Sequence, residues 1–296
     1  MFARSAAAGG HARAVAAPAL AAALWLVPAL AAGDAVTTLS ADAVARYNPR
    51  GVMIYGGVAR RWLQEDEPSL LARGRYAQLG ATVGLCPAYT QGSIAGEWVP
   101  IAPLQLRLQY DAFAYFGANG ALLRFPASGS KFGDEELAAL HGSEQAGIGH
   151  RVMLNPVLRA RIGWLILRSQ TDLAWYVLSR SSGWYYEPEY DTLLAERDWL
   201  AANRTVLMGE LWHGTGETTF LVGPMYEFTR SGTARIVRER AGATAYWAPA
   251  ARWLGLDRPR VYALAGVNLV DRNRQGEIFA VLGFGGDVDL GTRTPR

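Results

Sequence analysis

One pattern constrains this chain more than any other, and it occurs twice, as LQLRLQYDAFAYF over residues 104–116 and as LILRSQTDLAWYV over residues 165–177. Leu104, Leu106, Arg107, Gln109, Asp111 and Tyr115 of the first copy recur as Leu165, Leu167, Arg168, Gln170, Asp172 and Tyr176 of the second. In the first copy the even positions are apolar and the odd ones begin Gln105, Arg107, Gln109, Asp111. Period-two alternation of this kind marks a strand with one apolar and one polar face. The run is long for a soluble strand, usually about 5–6 residues. It suits a tilted strand crossing a bilayer, which needs about 9–11. Its charged face must meet water or a paired group. A strand that is apolar outside and charged inside is the repeating unit of a membrane β-barrel.

The first 32 residues read as a secretory signal peptide. Arg4 and Arg13 supply the positive start, an Ala/Leu/Val-rich run follows, and Ala29-Leu30-Ala31 offers a small-residue cleavage site. The alternative, a membrane anchor helix, is disfavoured because the run is short and broken by Pro18 and Pro28. Losing two arginines and no acid takes the formal net charge from +3 to +1. A near-neutral mature chain gives no reason to expect nucleic acid as a partner. No later stretch is apolar for long enough to cross a membrane as a helix. Cys86 is the single cysteine, so no intramolecular disulfide is expected. Lys131 is the only lysine, so arginine abundance by itself marks no site.

Further along, residues 33–48 form a lead-in with room for one strand, 49–290 the barrel, and 291–296 a short tail. Strands are expected over 52–62, 75–85, 93–99, 104–116, 151–162, 165–177, 204–212, 220–228, 235–247, 260–270 and 277–290. Single-chain barrels carry an even number, so a twelfth is expected before Asn48. Residues 117–147 and 179–203 read as long loops, with a short helix over 134–140, where the acids of DEELAAL sit favourably at a helix start. The connections near 100–103 and 163 are short. Short turns at one rim and long loops at the other are the polarity of a transmembrane barrel.

Aromatic residues stand near many strand ends: Trp62, Tyr76, Trp98, Tyr115, Trp164, Tyr176, Trp212, Tyr226, Trp247 and Trp253. Such rings favour the headgroup level of a membrane. With its leader, amphipathic strands and alternating connections, the chain resembles bacterial outer-membrane β-barrel proteins along most of its mature length. The resemblance is to the architecture, not to a family of known activity. It implies an antiparallel up-and-down barrel in the outer membrane, in contact with lipid and lipopolysaccharide and inserted by barrel assembly machinery. Many such barrels end on an aromatic residue, whereas here 291–296, GTRTPR, follow Leu290. The competing class is a secreted soluble β-sandwich that binds a ligand.

Strand parity places Arg107, Gln109, Asp111, Arg151, Arg159, Arg161, Arg168, Gln170 and Asp172 toward the lumen. An open interior would favour small anionic solutes; a packed one would pair these groups with Glu97, Glu210 and Glu227. Trp184, Tyr185, Tyr186 and Tyr190, set among acids, could stack on sugar or fold over the barrel mouth. A lipid hydrolase is the enzymatic alternative. It would rest on His141, Ser143 and Glu144, but neighbours on one loop seldom hold catalytic geometry. Asp134, Glu135 and Glu136 read as a solvated run rather than a calcium cage. No cofactor or metal is called for.

Overall fold

The computed structural model describes residues 35–64, 74–179, 183–213, 219–253 and 255–290, apart from the side chains of 212 and 213. The expected signal peptide and tail lie outside the described residues. In chain order the elements are β1 (Ala35–Tyr47), β2 (Gly51–Leu63), β3 (Tyr76–Leu85), β4 (Tyr89–Ile101), β5 (Leu104–Phe116), β6 (Arg124–Phe125), α1 (Asp134–Ala139), β7 (Ala146–Ile162), β8 (Leu165–Leu178), β9 (Trp184–Glu187), β10 (Thr192–Ala195), β11 (Arg197–His213), β12 (Thr219–Ser231), β13 (Val237–Ala248), β14 (Arg260–Val270) and β15 (Ile278–Asp289).

Among the described residues twelve strands close into one antiparallel barrel, each paired with its neighbours in the chain apart from the excursions β6 and β9–β10. The twelfth strand is β1, in the lead-in. The seam runs from Thr38↔Asp289 to Tyr47↔Ala280. Strands β6, β9 and β10 make a separate small sheet in the order β10-β9-β6. A single closed sheet rules out the two-layered sandwich.

Parity sets the two faces. Ile54, Val83, Leu85, Leu154, Leu158, Leu173, Leu207 and Leu282 point outward and are exposed. A continuous apolar exterior of this extent belongs in a bilayer, since it would associate in water. Two polar groupings on the outer face satisfy themselves. Tyr110 Oη lies 2.8 Å from His150 Nδ1. Asn203 Nδ2 donates to Ser169 Oγ at 3.0 Å and to Thr171 Oγ1 at 2.9 Å.

The aromatic girdle is real but differently composed. Trp98, Trp164, Tyr226, Trp247 and Trp253 are exposed, and Trp62 is half-buried. Tyr47, Phe116, Trp175 and Trp199 add to the exposed aromatics. Tyr76, Tyr115 and Tyr176 instead fall on the inward parity, where Tyr115 and Tyr176 are buried. The side chain of Trp212 lies outside the described residues. Between β13 and β14 there is a place where only glycine fits the wall. Gly242 and Gly266 are register partners, and a Cβ on either would lie 2.1 Å from a carbonyl oxygen of the other strand.

Connections at the two rims differ less simply than the sequence suggested. The rim that holds the start of β1 and the end of β15 has the two-residue turns after β5's partner β4 and after β7, but also the longer 249–259 connection. That connection packs Trp253 edge-on to Phe284, ring centroids 5.3 Å apart. The opposite rim carries the two longest excursions, 117–145 and 179–196. Three strands begin earlier than expected, at Tyr89, Ala146 and Arg197. In each the upper inward face is turned against other side chains rather than water: Tyr89 and Gln91, Gly149 and Arg151, Asp198 and Leu200 are all buried. A strand covered on both faces loses the alternation that betrays it.

Candidate functional site

The inward side chains divide the lumen into a sealed half and an open half. In the sealed half Arg151 and Asp111 stand opposite each other on β7 and β5. Arg151 Nε donates to Asp111 Oδ2 at 2.6 Å, and the two side chains are 2% and 0% exposed. Asp111 Oδ1 also accepts from Ser93 at 2.6 Å, Gln109 at 2.6 Å and Gln91 at 2.9 Å. Arg151 Nη1 reaches Tyr176 Oη at 3.0 Å and Glu189 Oε2 at 2.6 Å. A buried ion pair is tolerable only when its remaining donors and acceptors are met, and here they are.

Glu189 comes from the tip of the β9–β10 hairpin, which enters the barrel mouth as a cork. Its turn is made by Pro188 to Asp191, with Asp191 in the left-handed region at φ 50, which Asp tolerates better than most residues. Opposite walls hold the tip. From β1, Arg46 donates to Glu189 O at 2.8 Å and Pro188 O at 3.1 Å. From β7 comes Arg151. From β13, Arg238 lies 3.5 Å from Asp191, and Arg274 of the β14–β15 loop approaches the same carboxylate at 3.2 Å. Tyr186 Oη donates to Asp191 at 2.7 Å and Tyr190 Oη to Asp172 at 3.0 Å. Arg274 also binds Asp134 of α1 at 2.6 Å, tying the first long loop to the cork. Apolar packing completes the seal: Tyr185 lies with Met53, Tyr89, Phe113, Tyr115, Leu122 and Leu178.

Inside the cork, Glu187 is 5% exposed and accepts the Tyr190 backbone N–H at 2.7 Å. Burial, reinforced by the charge of Glu189, pushes its carboxyl up to about 7. Burial and then Asp191 hold the Tyr186 hydroxyl well above its ordinary range.

Below the cork the lumen opens. A cavity of about 330 Å³ is lined by Asp42, Arg61, Gln78, Glu97, Arg107, Arg258, Arg260 and Asp287 among others. A second, of about 200 Å³, shares Arg107 and is lined by Gln105, Gln109, Asn155, Arg168, Gln170, Asp172, Glu189 and Tyr190. Its ceiling is therefore the cork tip. Arg260 is bound to Asp42 at 2.8 Å and Asp287 at 3.2 Å, and Arg204 to Glu227 at 2.5 Å.

The residues singled out from sequence are thus split. Gln109, Asp111 and Arg151 belong to the seal. Arg107, Arg168, Gln170 and Asp172 line the lower cavity, and Arg159 stands opposite Arg168 in register. Arg161 keeps the same parity at the short-turn rim, where it is 58% exposed and bound to Glu210 at 2.7 Å. The two repeated strands run in the same direction with β7 between them, but staggered. Arg107 pairs across to Asn155, which hydrogen-bonds Asp172 at 2.5 Å, so Arg107 shares a row with Asp172 rather than with Arg168. Asp111 and Asp172 find partners other than Arg107 and Arg168. Tyr185, Tyr186 and Tyr190 are buried over the mouth, and Trp184 is half-buried.

Ser143 Oγ donates to Leu140 O at 2.6 Å while His141 Nδ1 lies 2.9 Å from Glu144 Oε1, so hydroxyl and imidazole engage different groups. The helix over 134–139 is present, and Asp134 is spent on Arg274. Sequence reasoning missed Arg46, Glu189, Asp191, Arg238 and Arg274 as members of the seal. The one available signal was the turn-forming Pro-Glu-Tyr-Asp of 188–191 amid aromatic residues.

No family model matches the sequence, and no curated protein does. Several solved structures align with it. The beta domain of the Bordetella autotransporter Brka matches at 12% identity over 86% of this chain and 99% of its own, with a TM-score of 0.39. The translocator domain of the autotransporter NalP from Neisseria meningitidis matches at 12% identity over 93% and 96%, TM-score 0.31. OmpT, an outer membrane protein of Vibrio cholerae, matches at 9% identity over 86% and 98%, TM-score 0.32. These neighbours are bacterial outer-membrane β-barrels.

Proposed function

We propose that this chain is an integral outer-membrane barrel that acts as a gated pathway for small solutes, held shut by its own hairpin. The observation that carries the reading is the ceiling of the lower cavity. Glu189 and Tyr190 of the cork form it, so the hairpin is what bars the route upward. A barrel packed for stability alone would gain nothing from a charge-lined cavity beneath its plug, because desolvated charges cost free energy. The short-turn rim faces the periplasm and the corked rim the outside, as in other barrels of this kind. The cork is a gate of small extent, fixed by directional contacts that can be broken one at a time.

The test is a planar-bilayer recording of purified protein. The parent protein should be closed most of the time. Replacing residues 184–195 by a flexible Gly/Ser linker should give steady conductance, and Glu189→Gln with Asp191→Asn should give frequent openings. A linker variant that migrates as a folded, heat-modifiable barrel yet passes no current would overturn the proposal. Should the linker variant not fold, the double substitution decides.

A further inference from the structure

Two guanidinium side chains, Arg107 on β5 and Arg168 on β8, line the cavity beneath the cork with no carboxylate within 4 Å among the described residues, and Arg159 on β7 stands beside Arg168 in register. Arg151, Arg204, Arg258, Arg260 and Arg274 all have carboxylate partners within 4 Å. The nearby acids are otherwise engaged. Glu97, the register partner of Arg107, takes the hydroxyl of Tyr76. Asp172 is met by Asn155 at 2.5 Å, Gln170 at 3.0 Å and Tyr190 at 3.0 Å. Arg168 is steadied only by a neutral group, Gln170 Oε1 at 2.6 Å.

Cations that face a cavity with no carboxylate beside them leave their charge to be balanced from outside the chain. We infer that Arg107 and Arg168 form a binding site for a small oxyanion, a carboxylate or phosphate. The guanidinium fork presents paired N–H donors that match two oxygens of such a group. Gln105 adds an amide beside it. The volume, about 200 Å³, accommodates a solute of phosphate or short dicarboxylate size. This deepens the reading of the lumen as a solute pathway and takes its purpose from it. Binding itself requires only the lower cavity, not an open cork.

Calorimetric titration of the folded protein in detergent at low ionic strength tests the site with two probes, inorganic phosphate and succinate, and with chloride as the reference. At least one of the two oxyanions should bind saturably, and more tightly than chloride. Arg107→Gln with Arg168→Gln should weaken that binding about tenfold or more, while Arg161→Gln at the rim should leave it unchanged. Absence of saturable binding by the parent protein at millimolar probe overturns the inference, as does binding that the double substitution leaves intact. A circular dichroism melt establishes that the variant is folded, with Arg168→Gln alone as the second variant should it not be. Binding together with a silent linker variant would retain this site and remove the gate. Conductance without binding would do the reverse.

Discussion

Arg151 is where the sealed end is most exposed to a single change. It joins Asp111 of the wall to Glu189 of the cork, and removing its charge leaves the fully buried Asp111 without a cation. Arg151→Met should therefore destabilise the folded barrel by about 3–5 kcal/mol. The urea midpoint of heat-modifiable migration measures this, and adding Asp111→Asn to the same chain should restore part of the loss. A shift of under about 1 kcal/mol would mean that the pair is hydrated. Parity told which way Arg151 and Asp111 point, since both lie on odd positions of alternating strands. It did not tell who their partners are. The contact with Glu189 joins residues 38 positions apart through a turn whose depth of insertion no local pattern encodes.

Among the elements, the long strands were legible and the cork was not. Strands β2, β3, β5, β8, β14 and β15 alternate because one face meets lipid and the other water or charge. The hairpin β9–β10 is buried on all sides, so its sequence shows no period and reads as an aromatic loop. Its chemistry gives it a pH dependence. With the cork seated, Glu187 keeps its proton up to about pH 7; released into water it would lose it near the ordinary value of 4.5. The raised value means that protonation favours the seated cork. That stabilisation is complete below the ordinary value and is lost as pH rises through about 7. Tyr190 N–H, Glu189 and Arg151 are the groups that bear on this carboxyl. Channel openings should be more frequent at about pH 8 than at about pH 5.5, and Glu187→Gln should hold the low frequency at both. Equal opening at the two values in the parent protein would rule out this carboxyl as the sensor.

The whole molecule was readable from the sequence as an even-stranded barrel because a closed sheet in lipid needs a strand wherever the chain crosses. The count of eleven with one owed in the lead-in follows from that rule. It was not readable how the lumen is filled, because parity gives the same inward arginines to a plug and to a pore. On location, the protein should be recovered with the outer-membrane fraction and shift mobility on heating; recovery in the soluble periplasm without detergent would refute it. The cork also sets an order of events. Its tip is gripped by β1, by β7, by β13 and by the loop between β14 and β15, and these surround it only once β1 has met β15. The hairpin is thus the last piece to settle, and a seated cork certifies that the seam has been sewn. During insertion the 184–195 segment should stay open to a protease until the heat-modifiable form appears and become resistant together with it. A nascent barrel would accordingly pass through a leaky stage, and the cell would be protected from it only by the speed with which the first strand finds the last.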